Sequence, residues 1–573
     1  MAYEIGANCS TCHYCFNTCP VKAIKFVGAE YWIDPEKCID CGACARVCPA
    51  GIITNPELET APVPHDPETM TCDVVILGAG GSGLVAAVRY KQLTGKNVVV
   101  LEKSRKVGGN TTLGHAFTVR YSKLHAKAGM PDQRAEAIES IWNGSDGQDM
   151  SRVLLTKAVY GLTDMFDWLC EFGGVEENFR LVDLRDRPMN SGPFVYTPGF
   201  FEYPNRSQNK KSNDHSMGPG WMGTFVIDKM MEQCEKMEIP VLTQHRGVKL
   251  NVDEDGVFCS VEVTNPGGTL TVNAKCILLA SGGFSHNDRL MRKIHPSYFE
   301  GLPCHSFTVA SNTGDAIDMA EEIGAKTDFV HIKSPMFGPV HHPFNYGVVS
   351  LVNDPRIAMV NIEGRRFLDE GAPPNPGEPT GPLEGQPMKL AYAVFDSVTA
   401  EKMGADLLER TKHDPGMYQG MVTWKEQLEY ECAELDIAAH KADTIEELAK
   451  KANILPAGLV DEVEKYNGFC HQGADEDFNK RSQFLSPIEE GPFYAVLLLR
   501  FNEGSEGGLV NDDNLRLVRE DGQPFKGIYV AGDTCRGVLK HNDEGGKFGE
   551  MPWAMASGFL AAAEMAQYTS GNH

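Results

Sequence analysis

Eight of the seventeen cysteines lie between residues 9 and 48 and repeat one spacing. Cys9, Cys12, Cys15 and Cys19 are followed by Pro20, and Cys38, Cys41, Cys44 and Cys48 by Pro49. Three thiolates two residues apart can wrap one face of a four-iron cubane, and a more distant fourth closes it. Paired zinc sites would need four tetrahedral ligands each, and would explain neither the triple run nor the prolines. The other nine cysteines are scattered singly and read as small buried hydrophobes or thiols. A second signature begins at Asp73-Val-Val-Ile-Leu77, an apolar run that enters Gly78-Ala79-Gly80-Gly81-Ser82-Gly83 and then an Ala-rich segment. Val98-Val-Val-Leu101 follows and ends at Glu102. Gly78 suits a tight turn, and Gly80 lets backbone approach a pyrophosphate at the helix N-terminus that Gly81 and Ser82 open. Gly83 permits close helix–strand packing, and Glu102 can accept from a ribose hydroxyl. Glycines alone would read as a turn; strand, helix and terminal acid together predict a dinucleotide site.

Positioning these groups takes several domains, and 573 residues suffice for them. A hydrophobic share of 42% and a charged share of 23% describe an ordinary globular chain. The net charge of −25 argues against nucleic acid and anionic membrane surfaces as partners. No apolar run reaches the roughly 18 residues of a membrane span, and Met-Ala-Tyr-Glu-Ile-Gly is no export signal, so a cytoplasmic location is expected. Residues 1–55 resemble two-cluster bacterial ferredoxins over their whole length. In that spacing the fourth cysteine of each run serves the other cluster. The resemblance assigns Cys9, Cys12, Cys15 and Cys48 to one [4Fe–4S] cluster, and Cys38, Cys41, Cys44 and Cys19 to the second. Residues 56–70 carry four prolines and no periodicity, and read as a semi-rigid linker.

Beyond Glu102 and Lys103, Gly108-Gly109-Asn110-Thr111 resembles the flavin-contacting loop of the fumarate reductase/succinate dehydrogenase flavoprotein superfamily, which includes ketosteroid dehydrogenases. Further motifs match in the same order: Ala280-Ser281-Gly282-Gly-Phe284, Asn312-Thr-Gly-Asp315, Glu363-Gly-Arg-Arg366-Phe367-Leu-Asp-Glu370, Tyr466-Asn467 with Gly473 to Phe478, and Gly527 to Gly532-Asp533. The resemblance covers roughly residues 71–570 and makes the dinucleotide FAD. Covalent members carry His where Asn110 stands, which implies a non-covalent flavin. Asp533 matches an acid of the ribityl or ribose region. A helix from near Met551, with Ala556 in its first turns, would aim its N-terminus at the flavin. An ordinary amphipathic C-terminal helix is the alternative for that segment.

The implied fold is multidomain, α/β and α+β. It comprises a ferredoxin-like domain (1–55), a linker (56–70), a Rossmann-type FAD domain in two parts (71–329 and 504–573) and an inserted capping domain (330–503). Within the cap, Thr444 with Glu447 forms a capping box ahead of an apolar stripe, and residues 371–382 are too rich in Pro and Gly for regular structure.

By resemblance, Arg366 delivers a proton beside flavin N5, with Glu370 or Asp369 as relay; the alternative is a cation that pairs with those carboxylates to fix the cap. The superfamily's dicarboxylate clamp has changed. Ile332-Lys-Ser-Pro335 and Glu503-Gly-Ser-Glu506-Gly-Gly508 stand where histidines are expected, and Gly545-Gly-Lys547-Phe548 where a second arginine is expected. His341, His342, Tyr346, Glu506 and Lys547 are candidates for the altered pocket. The expected activity is reduction of an activated C=C bond other than fumarate's, or the reverse, with electrons passing from a soluble donor or redox partner through two clusters to FAD. An electron-transfer subunit of a larger complex, a ketosteroid-type dehydrogenase and an adenylylsulfate reductase-like enzyme are the alternatives. An oligomer is compatible with all of them.

Overall fold

The computed structural model describes residues 3–6, 15–16, 19–27, 30–48, 52–55, 68–114, 117–144, 151–172, 180–182, 200–202, 222–300, 305–306, 308–333, 337–339, 354–371, 382–413, 425, 428–429, 432–433, 439–502, 504–538 and 550–571. Most of the expected linker therefore lies outside them.

In the cysteine-rich segment, Glu4–Ile5 pairs antiparallel with Ile53–Thr54, and Ile24–Val27 with Glu30–Ile33. A short helix, Ala43–Val47, carries Cys44. The core there is Ala23, Ile24, Tyr31, Ile33 and Ile53 with Cys15, Cys44 and Cys48. So few apolar groups stabilise a fold weakly, and small domains of this size lean on a metal centre.

The dinucleotide run folds as its pattern requires. Strand Thr69–Leu77 passes into helix Gly81–Thr94 and returns as strand Val98–Glu102, parallel to the first. Val74–Leu77 and Val98–Leu101 are covered on each face, which is why they read as unbroken apolar runs rather than alternating ones. Strand Gly268–Leu279 lies along the other edge of Thr69–Leu77. Its first half pairs antiparallel with Phe258–Asn265, and its last three residues pair parallel with Ile528–Val530. One face of this sheet is covered by helices Gly81–Thr94, Arg152–Phe172, Met222–Lys236 and Glu550–Thr569. A second apolar core fills the other face.

The cap is built on strand Phe493–Asn502, which pairs antiparallel with Phe337–Pro339, Leu390–Phe395 and Ala439–Ala442. It is joined in parallel by His305–Ser306, so one piece of the cap sheet precedes residue 330 in the chain. In a two-stranded ribbon, Thr327–Lys333 straddles the expected boundary at 330 and pairs with Gly504–Leu509, which begins just past the one at 503. Helix Ile445–Lys451 starts where the capping box puts it, with Thr444 Oγ1 accepting from Glu447 N at 3.2 Å. Among the described residues no helix is long and apolar enough to cross a membrane.

Candidate flavin cleft and the buried cation of the cap

The turn after Thr69–Leu77 is tight for an atomic reason. Gly78 adopts φ +107°, and a Cβ there would stand 2.2 Å from Ala280 O. A Cβ on Gly83 would stand 1.9 Å from Gly78 O, so the helix packs on the strand only with glycine. Gly80 is different: a side chain there would meet only Gly108 O, at 3.7 Å, and would otherwise project into open space. That space is an open cleft between the glycine turn and the strands on either side.

Gly78, Gly80, Gly81, Ser82, Glu102, Lys103, Gly109, Asn110, Thr111, Ala280, Ser281, Gly282, Asp315 and Asp533 all line it. Gly83, Gly108 and Gly532 are not among the residues that line it. Ala556 does not reach the cleft. It is fully buried in the core, while Ala554 lines the cleft instead. Two residues along a helix turn through about 200°, so both cannot face the same side. Asn312, Ser311, His245, Arg246, Gly247 and Met319 also line it, without having been expected there. Asn312 and Asp315 belong to one quoted motif; nothing local marks His245 or Arg246.

Side chains fix the lining. Glu102 accepts from Ala79 N at 2.9 Å and Ser104 N at 2.8 Å, bracing the turn with both oxygens and keeping lone pairs for a ligand. Thr111 Oγ1 accepts from Gly81 N at 3.0 Å, and Asn110 Oδ1 from Val309 N at 2.8 Å. Asp315 pairs with Lys103 at 3.0 Å and with Arg246 at 2.9 Å. Burial pushes its carboxyl up, but these two cations outweigh that and hold it below the usual range.

Ser281 Oγ and Asn312 Nδ2 are buried in this wall with no hydrogen-bond partner. Buried polar atoms rarely go unpaired, and here they fit a polar ligand in the cleft. The open approach at Gly80 and the helix N-terminus beside it fit a pyrophosphate.

Arg366 is elsewhere. Its side chain and those of Glu370 and Asp475 are 0% exposed. Nε and one terminal nitrogen donate to Glu370 at 3.0 and 2.8 Å, and both terminal nitrogens donate to Asp475 at 3.3 and 2.9 Å. The rings of Tyr466 and Phe478 lie 4.7 and 5.1 Å from the guanidinium carbon. Burial alone would lower the guanidinium's pKa, but the two carboxylates drive it well above its ordinary value. Glu370 also faces Lys480 at 3.3 Å and accepts from Met359 N at 2.8 Å. Neither Arg366 nor Glu370 lines this cleft, and the contacts above hold the pair inside the cap. Asp369, the other expected relay, accepts from Gly371 N at 2.8 Å and closes a turn.

Of the cysteines, Cys15, Cys44 and Cys48 are buried, Cys19 and Cys38 half-buried and Cys41 exposed. Cys9 and Cys12 lie outside the described residues, as do His341, His342, Tyr346 and Lys547. Glu506 lies in the Gly504–Leu509 strand of the ribbon. Burial pushes the Cys44 thiol up to about 11, so a thiolate there calls for a cationic partner such as iron. Among the described residues no three Cys, His, Asp or Glu side chains converge on a single ion. A cubane cluster binds one thiolate per iron and spreads its ligands more widely.

Residues 73–548 match the family described as an FAD-binding domain. The chain belongs to that family. Residues 8–52 match a 4Fe-4S dicluster domain. The flavoprotein is 28% identical to the urocanate reductase of Eggerthella lenta over 485 residues, covering 82% of this chain and 72% of that one. It is 29% identical to the 3-oxosteroid 1-dehydrogenase of Mycolicibacterium smegmatis over 587 residues, covering 86% and 97%. The solved open conformation of a flavocytochrome c3 fumarate reductase shares the fold, with a TM-score of 0.67 at 24% identity over 87% of this chain and 79% of that one. The flavoprotein is thus an FAD-dependent oxidoreductase of the fumarate reductase-like type, with an N-terminal iron–sulfur domain.

Proposed function

We propose that this flavoprotein reduces an activated C=C bond of an enoate- or enone-type small molecule, using electrons from a soluble donor in the cytoplasm. The observation that carries the reading is the pairing, in one chain, of a cleft with unpartnered polar atoms at Ser281 and Asn312 and a doubled cysteine run. The urocanate reductase relative supports this choice of bond. When bound, FAD and two [4Fe–4S] clusters would supply two-electron hydride chemistry fed by one-electron donors.

The chain's own residues then divide the work. Gly80 and the N-terminus of helix Gly81–Thr94 take the pyrophosphate, and Glu102 the ribose. Ser281 and Asn312 meet the polar middle of the cofactor. Asn110 cannot form the covalent link that a histidine could, so the flavin is held non-covalently. Cys9, Cys12, Cys15 and Cys48 hold one cluster, and Cys38, Cys41, Cys44 and Cys19 the other. Arg366 is the structural cation of the cap, and the proton comes from another group. The altered clamp positions, Glu506 among them, disfavour fumarate.

The test is an anaerobic screen in which chemically reduced flavoprotein meets enoates, enones and ketosteroids while flavin reoxidation is followed. Rapid reoxidation by an enoate or enone, with fumarate inert, is the expected result. Oxidised protein that is reduced by a saturated ketosteroid, and that no enoate reoxidises, would replace the reading with the dehydrogenase that the second relative represents.

A further inference from the structure

The wall of the cleft around Asn312 is tied to the cap. Arg500, on cap strand Phe493–Asn502, has a side chain only 4% exposed. It donates to the carbonyls of Tyr298 at 3.3 Å and Glu300 at 2.7 Å, and to Glu384 at 2.9 Å. Lys389 reinforces the tie through Glu300 at 3.0 Å and Glu384 at 2.6 Å. The same strand pairs with His305–Ser306 through Phe501 and Asn502. Three residues past Ser306, Val309 N donates to Asn110, and Ser311, Asn312 and Asp315 then line the cleft. Three residues span about 10 Å at full stretch, so the cap strand cannot shift far without moving that wall.

We propose that Arg500 is a positioning residue for the cofactor. By pinning the backbone at Tyr298 and Glu300 to the cap strand, it holds Asn312 and its neighbours in the geometry that grips FAD, and so couples cap to cleft. The inference rests on the reading of the cleft as the FAD site.

The experiment uses holoprotein and follows FAD release into flavin-free buffer by recovery of flavin fluorescence, alongside thermal melting of the apoprotein. Arg500→Met should release FAD about 5- to 150-fold faster, the range typical of coupling between sites. Arg500→Lys keeps the charge but loses the fork that reaches two carbonyls, and should fall between. Arg356→Met removes another cap cation, one that pairs with Asp354 at 2.6 Å and Asp406 at 2.7 Å, and should melt earlier without releasing FAD faster. Folded Arg500→Met that releases FAD at the wild-type rate overturns the proposal. Should Arg500→Met not fold, a wild-type rate in Arg500→Lys overturns it equally. Wild-type protein that retains no FAD overturns the cleft reading and this inference together, whereas a wild type that holds FAD beside unchanged variants overturns the inference alone.

Discussion

Arg366 shows how far a residue's neighbours decide its role. A guanidinium that gives four of its five N–H groups to two buried carboxylates, between two aromatic rings, is held as a structural cation would be. Arg366→Met should therefore act on stability. It leaves Glu370 and Asp475 buried with Lys480 as the nearest cation, and removing one partner of such a set costs about 3–5 kcal/mol. Thermal melting of apo and holo forms measures this. A variant that melts like wild type but has lost flavin reoxidation would favour the catalytic reading instead. Acid should act on the same charges. Asp475 is pushed up by burial but brought below its ordinary 3.8 by Arg366, and Asp315 likewise by Lys103 and Arg246. Depressed carboxylates contribute stability above the unfolded value, and it is lost as pH falls below 3.8 through the folded values. The urea midpoint should thus drop between pH 5 and pH 3, less steeply in Arg366→Met. Glu370, four residues from Arg366, was legible as its partner. Asp475 was not, because it lies 109 residues away and spacing carries no sign of a contact made by folding.

At the scale of elements, the sequence spoke most clearly where both faces of a strand are buried. Val74–Leu77 and Val98–Leu101 are apolar throughout because each packs on two sides, and the glycines between them permit one geometry. Strand Gly268–Leu279 was harder to read, since it changes partners halfway and no local pattern marks the change. His305–Ser306 is too short to carry any period, and it pairs with the cap strand from a position before 330, where the resemblance begins the cap. The C-terminal helix Glu550–Thr569 offers a direct test of packing. It crosses helix Gly81–Thr94 at Gly558, where a Cβ would stand 2.1 Å from Ser82 O. The obstacle is backbone and cannot rotate away. Gly558→Ala should force the helices apart, cost about 1–3 kcal/mol and weaken FAD retention, because Ser82 and Ala554 both line the cleft. Gly468→Ala serves as the control: a Cβ there meets nothing within 4 Å, and a helical glycine gains stability by becoming alanine. Equal melting temperatures and FAD retention in Gly558→Ala and wild type would refute close packing as the reason for the glycine.

Across the whole molecule the question is how a one-electron module serves a two-electron site. The cysteine-rich segment has a core of a few apolar side chains, and its thiols include Cys44, which burial pushes up to about 11. The small core points to a segment organised by its metal centre. Anaerobically purified protein should hold about eight iron atoms, the content of two [4Fe–4S] clusters. Four or fewer after reconstitution, or stoichiometric zinc, would refute two clusters. Cys44→Ser then separates the modules, because it removes a proposed cluster ligand far in sequence from every residue of the flavin cleft. Donor-driven reduction of the flavin should slow sharply. Reoxidation of chemically reduced flavin by an enoate should keep its wild-type rate, and FAD content should stay the same. Anaerobic stopped-flow reads both half-reactions in the flavin band. If Cys44→Ser slows reoxidation as much as reduction, the clusters take part in the substrate step itself, and the division of labour between entry module and cleft is wrong. If it slows neither, electrons reach the flavin by another path and the cysteine-rich segment has a structural role alone.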